Sequence, residues 1–338
     1  MNAARKIDRI NRALERLGPQ ETHCRLCPRD CGVDRSAGEK GYCQSGALAS
    51  VSHALLHFGE EPVLSGPGSP AEGNEKAANA PSGSGTIFFG GCNLKCRFCQ
   101  NYQLSWLGRG RPVDDAELAG LMLGLQEKGA LNINLVSPTH LVLPILRALR
   151  VAFSKGLEIP IVSNSSGYEK ASILSHLEGI VDIYLPDLKY VSADLSLKYS
   201  GAADYFEWAG EAIKEMAFQQ PVLELDDRGI ARRGLIVRHL VLPGGSEDSL
   251  AVLNWLAEVF GSHLAVSLMS QFRPCHQAPE ELRRPLSPIE YARVLSRAKE
   301  LEFDRMFVQP ESFGPDDHLF PDFELAEPFR WDREPRKT

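Results

Sequence analysis

The sequence predicts an α/β protein: an open or partial β/α barrel of the (β/α)6 type, preceded by a cysteine-rich module. Two observations carry this expectation. From Thr86 to Gln309, short apolar segments alternate with longer amphipathic ones, the pattern of a parallel sheet covered by helices. In addition, seven of the eight cysteines lie between Cys24 and Cys99 in tight groups. An open doubly wound sheet is the alternative. In either arrangement the chemistry falls at the carboxyl ends of the strands and in the loops that follow them.

The elements follow in chain order. Ile7, Ile10, Leu14 and Leu17 share one helical face, and Gly18-Pro19 ends the pattern, so the chain should open on an amphipathic helix docked on the body. Residues 50–66 read as a short strand and turns. Residues 65–85 are nearly all Gly, Pro, Ser, Ala and polar groups and cannot form a core, which marks a flexible linker. Strands are expected at 86–90, 133–137, 159–164, 181–189, 235–243, 264–270 and 305–309. The helices between them fall at 114–128, 141–155, 169–178, 204–217, 247–260 and 288–301. Asp114 or Asp115 should cap the first of these. The acidic end, with its aromatics and prolines, either drapes over the body or is disordered. The organisation is thus 1–64 helix and four-cysteine metal module, 65–85 linker, 86–310 barrel and 311–338 extension.

The 338 residues suffice for one large core, and 43% hydrophobic against 24% charged residues is globular composition. A net charge of -7 gives no general attraction to nucleic acid or to an anionic membrane. No apolar run is long enough to span a bilayer, and the basic start lacks the apolar core of a secretory signal. Grouped cysteines in a chain of this size point to metal ligation in a reducing cytoplasm rather than to disulfides.

The strongest signal is GGCNLKCRFCQN, residues 90–101. Cys92, Cys96 and Cys99 have the spacing C-x3-C-x2-C directly after the first strand of the repeat. A structural zinc needs a fourth ligand, and a [4Fe–4S] cubane normally takes four cysteines. With no fourth cysteine nearby, such a cluster keeps one open iron on the face where substrates bind.

Cys92, Cys96, the aromatic Phe98 and Cys99 resemble the signature of the radical SAM superfamily. Within it the chain is similar to proteins related to the pyruvate formate-lyase activating enzymes, which act on glycyl radical enzymes. That similarity runs through CQN (99–101), NINLVSPTH (132–140), SNSSGYE (163–169), YLPDLKY (184–190), RHLVLPG (238–244) and SLMSQFRP (267–274). It implies a radical SAM barrel, a [4Fe–4S] cluster with S-adenosylmethionine (SAM) on its open iron, and reductive cleavage of SAM to a 5′-deoxyadenosyl radical. It also implies an electron donor such as flavodoxin or ferredoxin.

The same resemblance places further residues around SAM. Ser137-Pro138-Thr139-His140 stands where the family has Gly-Gly-Glu, so a backbone carbonyl or the Thr139 hydroxyl would have to receive the SAM amino group. Asn164 resembles a ribose or carboxylate ligand. Asp187 and Lys189 form the D-L-K pattern, with both side chains on one face of a strand. Arg238 matches an arginine expected at the SAM carboxylate, and Asn101 lies beside the cluster at a helix start.

Cys24, Cys27, Cys31 and Cys43 supply four thiolates, enough for a closed site holding either zinc or an auxiliary iron–sulfur cluster. Cys275, alone in RPCHQ, is a candidate thiol hydrogen-atom donor or ligand, although a lone cysteine is more often inert. Three function classes compete: a radical enzyme acting on a protein glycine, one acting on a small molecule or peptide, and a non-enzymatic metal-binding module.

Overall fold

The computed structural model describes residues 2–66, 83–309 and 321–329. Most of the expected linker and much of the extension after 310 lie outside those residues. The strands are β1 (Ala49–His57), β2 (Ser84–Phe89), β3 (Arg111–Val113), β4 (Ile133–Val136), β5 (Ile161–Ser165), β6 (Ile183–Pro186), β7 (Glu224–Leu225), β8 (Ala231–Leu240), β9 (Ala265–Met269) and β10 (Arg305–Val308). The helices are α1 (Ala3–Leu17), α2 (Pro62–Ser65), α3 (Tyr102–Ser105), α4 (Asp115–Glu127), α5 (Val142–Ser154), α6 (Ala171–Leu174), α7 (Ala193–Ser200), α8 (Tyr205–Gln219), α9 (Ser246–Phe260) and α10 (Pro288–Glu300).

Seven strands, in the order β2-β4-β5-β6-β8-β9-β10, run parallel and do not close. This is the partial barrel the sequence predicts. The residues of β2, β4, β5, β6 and β9 are almost all buried, as a sheet covered on both faces requires, while the edge strand β10 is partly exposed. Asp114 caps α4, its carboxylate accepting the Glu117 N–H at 2.8 Å. Three features go beyond the sequence reading. β1 is nine residues long and lies antiparallel on β2, with β3 beyond it, so this segment extends the main sheet. β7 adds a short antiparallel partner to β8. And α7 precedes α8 as a separate helix, its end marked by Gly201 in the left-handed region.

Helix α1 docks as expected, with Ile10, Ala13 and Leu17 buried. The surprise is Lys6, which is also buried; its ammonium donates to the Ile180 carbonyl at 3.1 Å and pairs with Asp182. Burial lowers its pKa, and Asp182 acts against that shift.

Two apolar layers flank the sheet. The larger holds the helices. The smaller fills the face opposite, where Val63 and Leu64 of α2 pack with Val162, Ile183, Leu185, Ile236 and Ala265 from successive strands. Asn132 ties this turn down by donating to the Leu64 carbonyl at 2.8 Å. The segment between β1 and the linker therefore plugs the inside of the open barrel. Among the described residues no helix is long and apolar enough to cross a membrane.

Candidate active site

A cavity of about 610 Å³ opens at the carboxyl ends of the parallel strands, a size that suits small-molecule ligands. Cys92, Cys96, Cys99, Phe98 and Asn101 line one side of it. Ser137, Asn164, Asp187, Lys189 and Arg238 line it from the ends of β4, β5, β6 and β8. The fold thus gathers residues up to about 150 positions apart in the sequence, because parallel strands deliver their ends to one side.

The three thiols sit in a loop held by its backbone. Gly91 adopts a φ of 87° and presses so closely on the Cys43 carbonyl that a side chain there would collide. Leu94 donates its N–H to the Cys92 sulfur at 3.3 Å, and the Ser200 hydroxyl donates to the Cys96 sulfur at 3.1 Å. Burial pushes the Cys99 thiol up to about 12, with Cys96 and Cys92 adding to the rise while Ser105 opposes it. Burial also raises Cys96, against the pull of Lys189. Thiols this buried stay protonated until a metal takes the place of the proton. Among the described residues no three His, Cys, Asp or Glu side chains gather tightly enough for a single metal ion. The donor set of three thiols with sulfur-directed hydrogen bonds fits an iron–sulfur cluster, whose thiolates are spread over its corners.

The strand ends have distinct roles. Ser137 has a φ of 59°, the left-handed region natural to glycine, in the place where the resemblance expects a glycine; its N–H bonds the Asn164 carbonyl at 2.8 Å. Gly167, at φ 77°, lies against the Asp187 carbonyl, and only a residue without Cβ fits. The Tyr205 hydroxyl locks these two loops together. It donates toward the carbonyls of Ser166 at 2.8 Å and Asp187 at 2.9 Å, and it accepts the Lys189 N–H at 3.0 Å. Lys189 and Asp187 pair at 2.5 Å, as one face of a strand end permits. Burial alone would lower the Lys189 pKa; Asp187 and the nearby Cys96 outweigh it and hold the ammonium charged, well above its ordinary value. The Ser166 hydroxyl also lines the cavity and is buried without a hydrogen-bond partner.

Three expected residues are placed otherwise. Arg238 lines the cavity, but its guanidinium is committed to Glu61, at 2.8 and 2.5 Å, and to Glu60. It ties β8 to the plug and is not free to meet a carboxylate. Thr139 lies off the cavity, its hydroxyl donating to Glu169 at 2.9 Å, so it cannot stand in for the missing glutamate. Cys275 is also off the cavity; its thiol, pushed up to about 12 by burial, donates to the Phe98 carbonyl at 3.1 Å. That position suits bracing of the cysteine loop rather than hydrogen-atom donation. His239, by contrast, points away from Arg238 and is buried between the Leu188 carbonyl (2.7 Å) and Ser249 (2.9 Å).

Sequence reasoning missed Glu60 and Glu61, which lie in a stretch read as turns, and the cavity wall of Gln100, Gln271 and Gln309. The Gln309 amide donates to Gln271 Oε1 at 2.7 Å, and the Gln100 amide donates to the Gln271 carbonyl at 3.1 Å. It also missed the cavity rim. Phe329 packs edge-on against His57, with ring centres 4.6 Å apart, and beside Phe88.

Cys24, Cys27, Cys31 and Cys43 lie in loops beside the triplet. Burial pushes the Cys27 thiol up to about 12, with each of the other three cysteines close enough to add to the rise. The Cys31 sulfur accepts the Tyr42 N–H at 3.3 Å, and Arg35 donates to the Cys43 sulfur at 3.4 Å.

This arrangement, an open α/β barrel with three thiols at the carboxyl ends of its strands, can be set beside known proteins. Residues 86–219, from β2 through α8, match the family model of the radical SAM superfamily. Two uncharacterized proteins of Methanocaldococcus jannaschii are similar over most of the chain. One is 27% identical over 84% of this chain and 77% of its own length, the other 22% identical over 86% and 82%. Among solved structures, methylornithine synthase (PylB) is similar with a TM-score of 0.46 at 16% identity, covering 71% of this chain and 75% of that one. Streptococcus suis SuiB bound to S-adenosylmethionine gives 0.44 at 12% identity, over 68% of this chain; the chain spans about half of SuiB's length, 49%.

Proposed function

We propose that the chain is a radical SAM enzyme that holds a [4Fe–4S] cluster on Cys92, Cys96 and Cys99 and takes hydrogen from an organic substrate in the adjoining cavity. The single observation behind this reading is that the cysteine triplet and the polar strand ends, scattered in sequence, line one cavity. When bound, the cluster and SAM supply a one-electron cleavage that yields methionine and a 5′-deoxyadenosyl radical able to abstract hydrogen.

The chain's own groups bind and orient. Asp187 and Lys189 present a carboxylate and an ammonium to the polar ends of SAM, while Asn164 and Asn101 offer amides. Backbone carbonyls around Ser137, rather than Thr139, would receive an amino group. The aromatic cluster of Phe329, Phe88 and His57 gives the cavity one apolar wall.

Two substrate classes remain in play. The motif resemblance favours a glycyl radical enzyme as protein substrate, as for an activating enzyme. The cavity of about 610 Å³, with Pro321 and Phe329 of the C-terminal segment among its lining, favours a small molecule or short peptide, and we take this as the better-supported reading. We further propose that Cys24, Cys27, Cys31 and Cys43 hold a second metal centre, an auxiliary iron–sulfur cluster in preference to zinc, because no three of these thiols gather tightly enough for a single ion. Elemental analysis separates the two.

The test is anaerobic reconstitution followed by dithionite and SAM. The protein should release 5′-deoxyadenosine, and the Cys92→Ala/Cys96→Ala/Cys99→Ala variant should release none. Persistent cleavage in that variant would sink the proposal.

A further inference from the structure

The plug presents two carboxylates to the cavity, Glu60 and Glu61, which share the single guanidinium of Arg238. Glu61 is well served. It accepts from Nε and Nη2 of Arg238 at 2.8 and 2.5 Å and from the Ser267 hydroxyl. Glu60 has less. One of its oxygens pairs with the same Arg238 nitrogen; the other accepts from the Asn134 amide at 2.9 Å, with His57 Nδ1 standing off at 3.5 Å. A carboxylate offers about four lone-pair sites, so Glu60 can take further donors. Its side chain is 7% exposed and that of Glu61 5%. Among the described residues lining the cavity the carboxylates are Glu60, Glu61 and Asp187, and the cations are Lys189 and Arg238. With His57 neutral, one negative charge is left over. An unbalanced charge in so buried a place is costly until a cation joins it.

A second observation points the same way from another strand. Asn134 is fully buried and spends Nδ2 on Glu60, while its Oδ1 has no hydrogen-bond partner among the described residues. Turning the amide over would set that oxygen against the Glu60 carboxylate, which fixes the orientation. On β4, Asn134 shares a face with Val136, and Val136 lines the cavity, so Oδ1 faces inward beside Glu60. Acceptors from the plug and from β4 thus converge where one more charged N–H donor is needed. The strand register sets this place next to the groups assigned to SAM. Arg238 pairs with Asp187 on one side and with Ser267 on the other, and Ser267 pairs with Phe307. Beside the plug the cavity wall is apolar, made by Leu240, Met269 and Phe307.

We propose that Glu60, Glu61 and Asn134 form the recognition subsite for the substrate, and that the substrate carries a primary ammonium group held there while its carbon chain lies along Leu240, Met269 and Phe307. This deepens the reading of the chain as a radical SAM enzyme acting on a small molecule or short peptide, and rests on it. A primary ammonium has three N–H donors and a compact charge, which suits carboxylates and an amide oxygen that approach from separate elements. An alcohol could satisfy Asn134 but would leave the charge unbalanced. A carboxylate or phosphate would add to it.

The experiment uses the full-length, anaerobically reconstituted protein and its Glu60→Gln and Asn134→Leu variants. Calorimetry measures binding of n-butylamine, 1,5-diaminopentane and Nα-acetyl-lysine amide, with n-butanol as the uncharged control and butyrate as the anionic one. SAM is titrated separately, alone and with the amine present. The wild type should bind at least one amine at millimolar concentration or below, and neither control. Glu60→Gln should weaken that binding roughly tenfold or more and Asn134→Leu several-fold, while SAM affinity stays within about twofold in both. Tightest binding of the acetylated lysine supports a peptide side chain as the source of the ammonium; tightest binding of either free amine supports a small molecule. A wild type that binds none of the amines, equal amine binding by Glu60→Gln, or competition between amine and SAM overturns the subsite. A matching loss of SAM affinity in Glu60→Gln also overturns it, since the carboxylates would then hold SAM itself. Melting curves identify a variant that fails to fold; should Glu60→Gln do so, unchanged amine binding by Asn134→Leu overturns the subsite. If the wild type releases no 5′-deoxyadenosine with dithionite and SAM, the radical SAM reading falls, and the amine titration still decides the subsite.

Discussion

The two cysteine-bearing regions sit side by side yet are built on different principles. The triplet loop hangs from a strand of the main sheet and faces a cavity. Its sulfurs receive hydrogen bonds from Leu94 and Ser200, and its neighbours are the polar ends of β5 and β6. The N-terminal four belong to loops without regular structure, and none of them lines the cavity. What joins the regions is backbone rather than thiol chemistry. Arg29 reaches the carbonyls of Asn93 and Leu94, Arg35 reaches the His140 carbonyl at 2.5 Å, and the Cys43 carbonyl rests on Gly91. The difference teaches that closeness in space need not mean a shared reaction. A thiol set facing a cavity can meet a ligand there, whereas one set in loops away from the cavity cannot.

The sharpest way to break this comparison is to remove thiols on the N-terminal side alone. Cys24→Ser/Cys27→Ser should lose one metal site and melt at lower temperature. It should nonetheless keep most of its uncoupled SAM cleavage per folded molecule, whereas the triplet variant loses all of it. A well-folded double variant without cleavage would make the N-terminal centre an electron relay. Next in size is the cavity side. Asp187→Ala and Lys189→Ala should each weaken SAM binding by about 1.5–3 kcal/mol, the worth of a hydrogen bond to a charged group. Iron content should be unchanged; equal SAM affinity by calorimetry would make that ion pair purely structural.

The smallest effect concerns His140, which stands between the two regions. Its Nε2 bonds the Gly90 carbonyl at 3.1 Å, and the ring is neutral because burial lowers its pKa to about 4, with Arg35 helping and Gly90 opposing. The folded protein therefore binds fewer protons here than the unfolded chain. Stability from this group is complete above about pH 6.5, the ordinary value, and fades as pH falls toward 4. The melting temperature should drop across that window by less in His140→Gln than in the wild type, and iron loss should follow the same curve. Parallel curves for the two proteins would remove His140 from the joint. His239, also lowered to about 4 by burial, titrates in the same window away from the cysteines and remains as a common background.

Much of this architecture was legible in the sequence because apolar periodicity fixes strands and helices locally. All seven strands of the repeat and the Asp114 cap lie where the pattern puts them. Cys92, Cys96 and Cys99 were legible because their spacing is itself the geometry of one loop. Arg238 was not, because its partners Glu60 and Glu61 lie on a segment whose path inside the barrel no local pattern announces. Thr139 and Cys275 were misplaced for a related reason. A side chain's facing depends on the turn it occupies, and here Glu169 and the Phe98 carbonyl take up the two groups. The length of β1 escaped because SVSHALLHF mixes polar and apolar residues without clean alternation, as fits a strand half-buried on both faces.

The plug has a consequence for how the chain comes to be folded. Residues 58–65 leave the ribosome before every parallel strand that will surround them. Arg238, which fastens them, is synthesised 177 residues after Glu61. Until β8 emerges, Glu61 lacks its guanidinium partner, although Asn134 of β4 donates to Glu60 at 2.9 Å and β5 and β6 already offer apolar neighbours to the turn, so the first strands can fold only provisionally around it. Contacts that span so much of the sequence close slowly. The late arrival of one guanidinium therefore sets the earliest moment at which the plug can be fastened, and Ala265 of β9 completes its apolar layer later still.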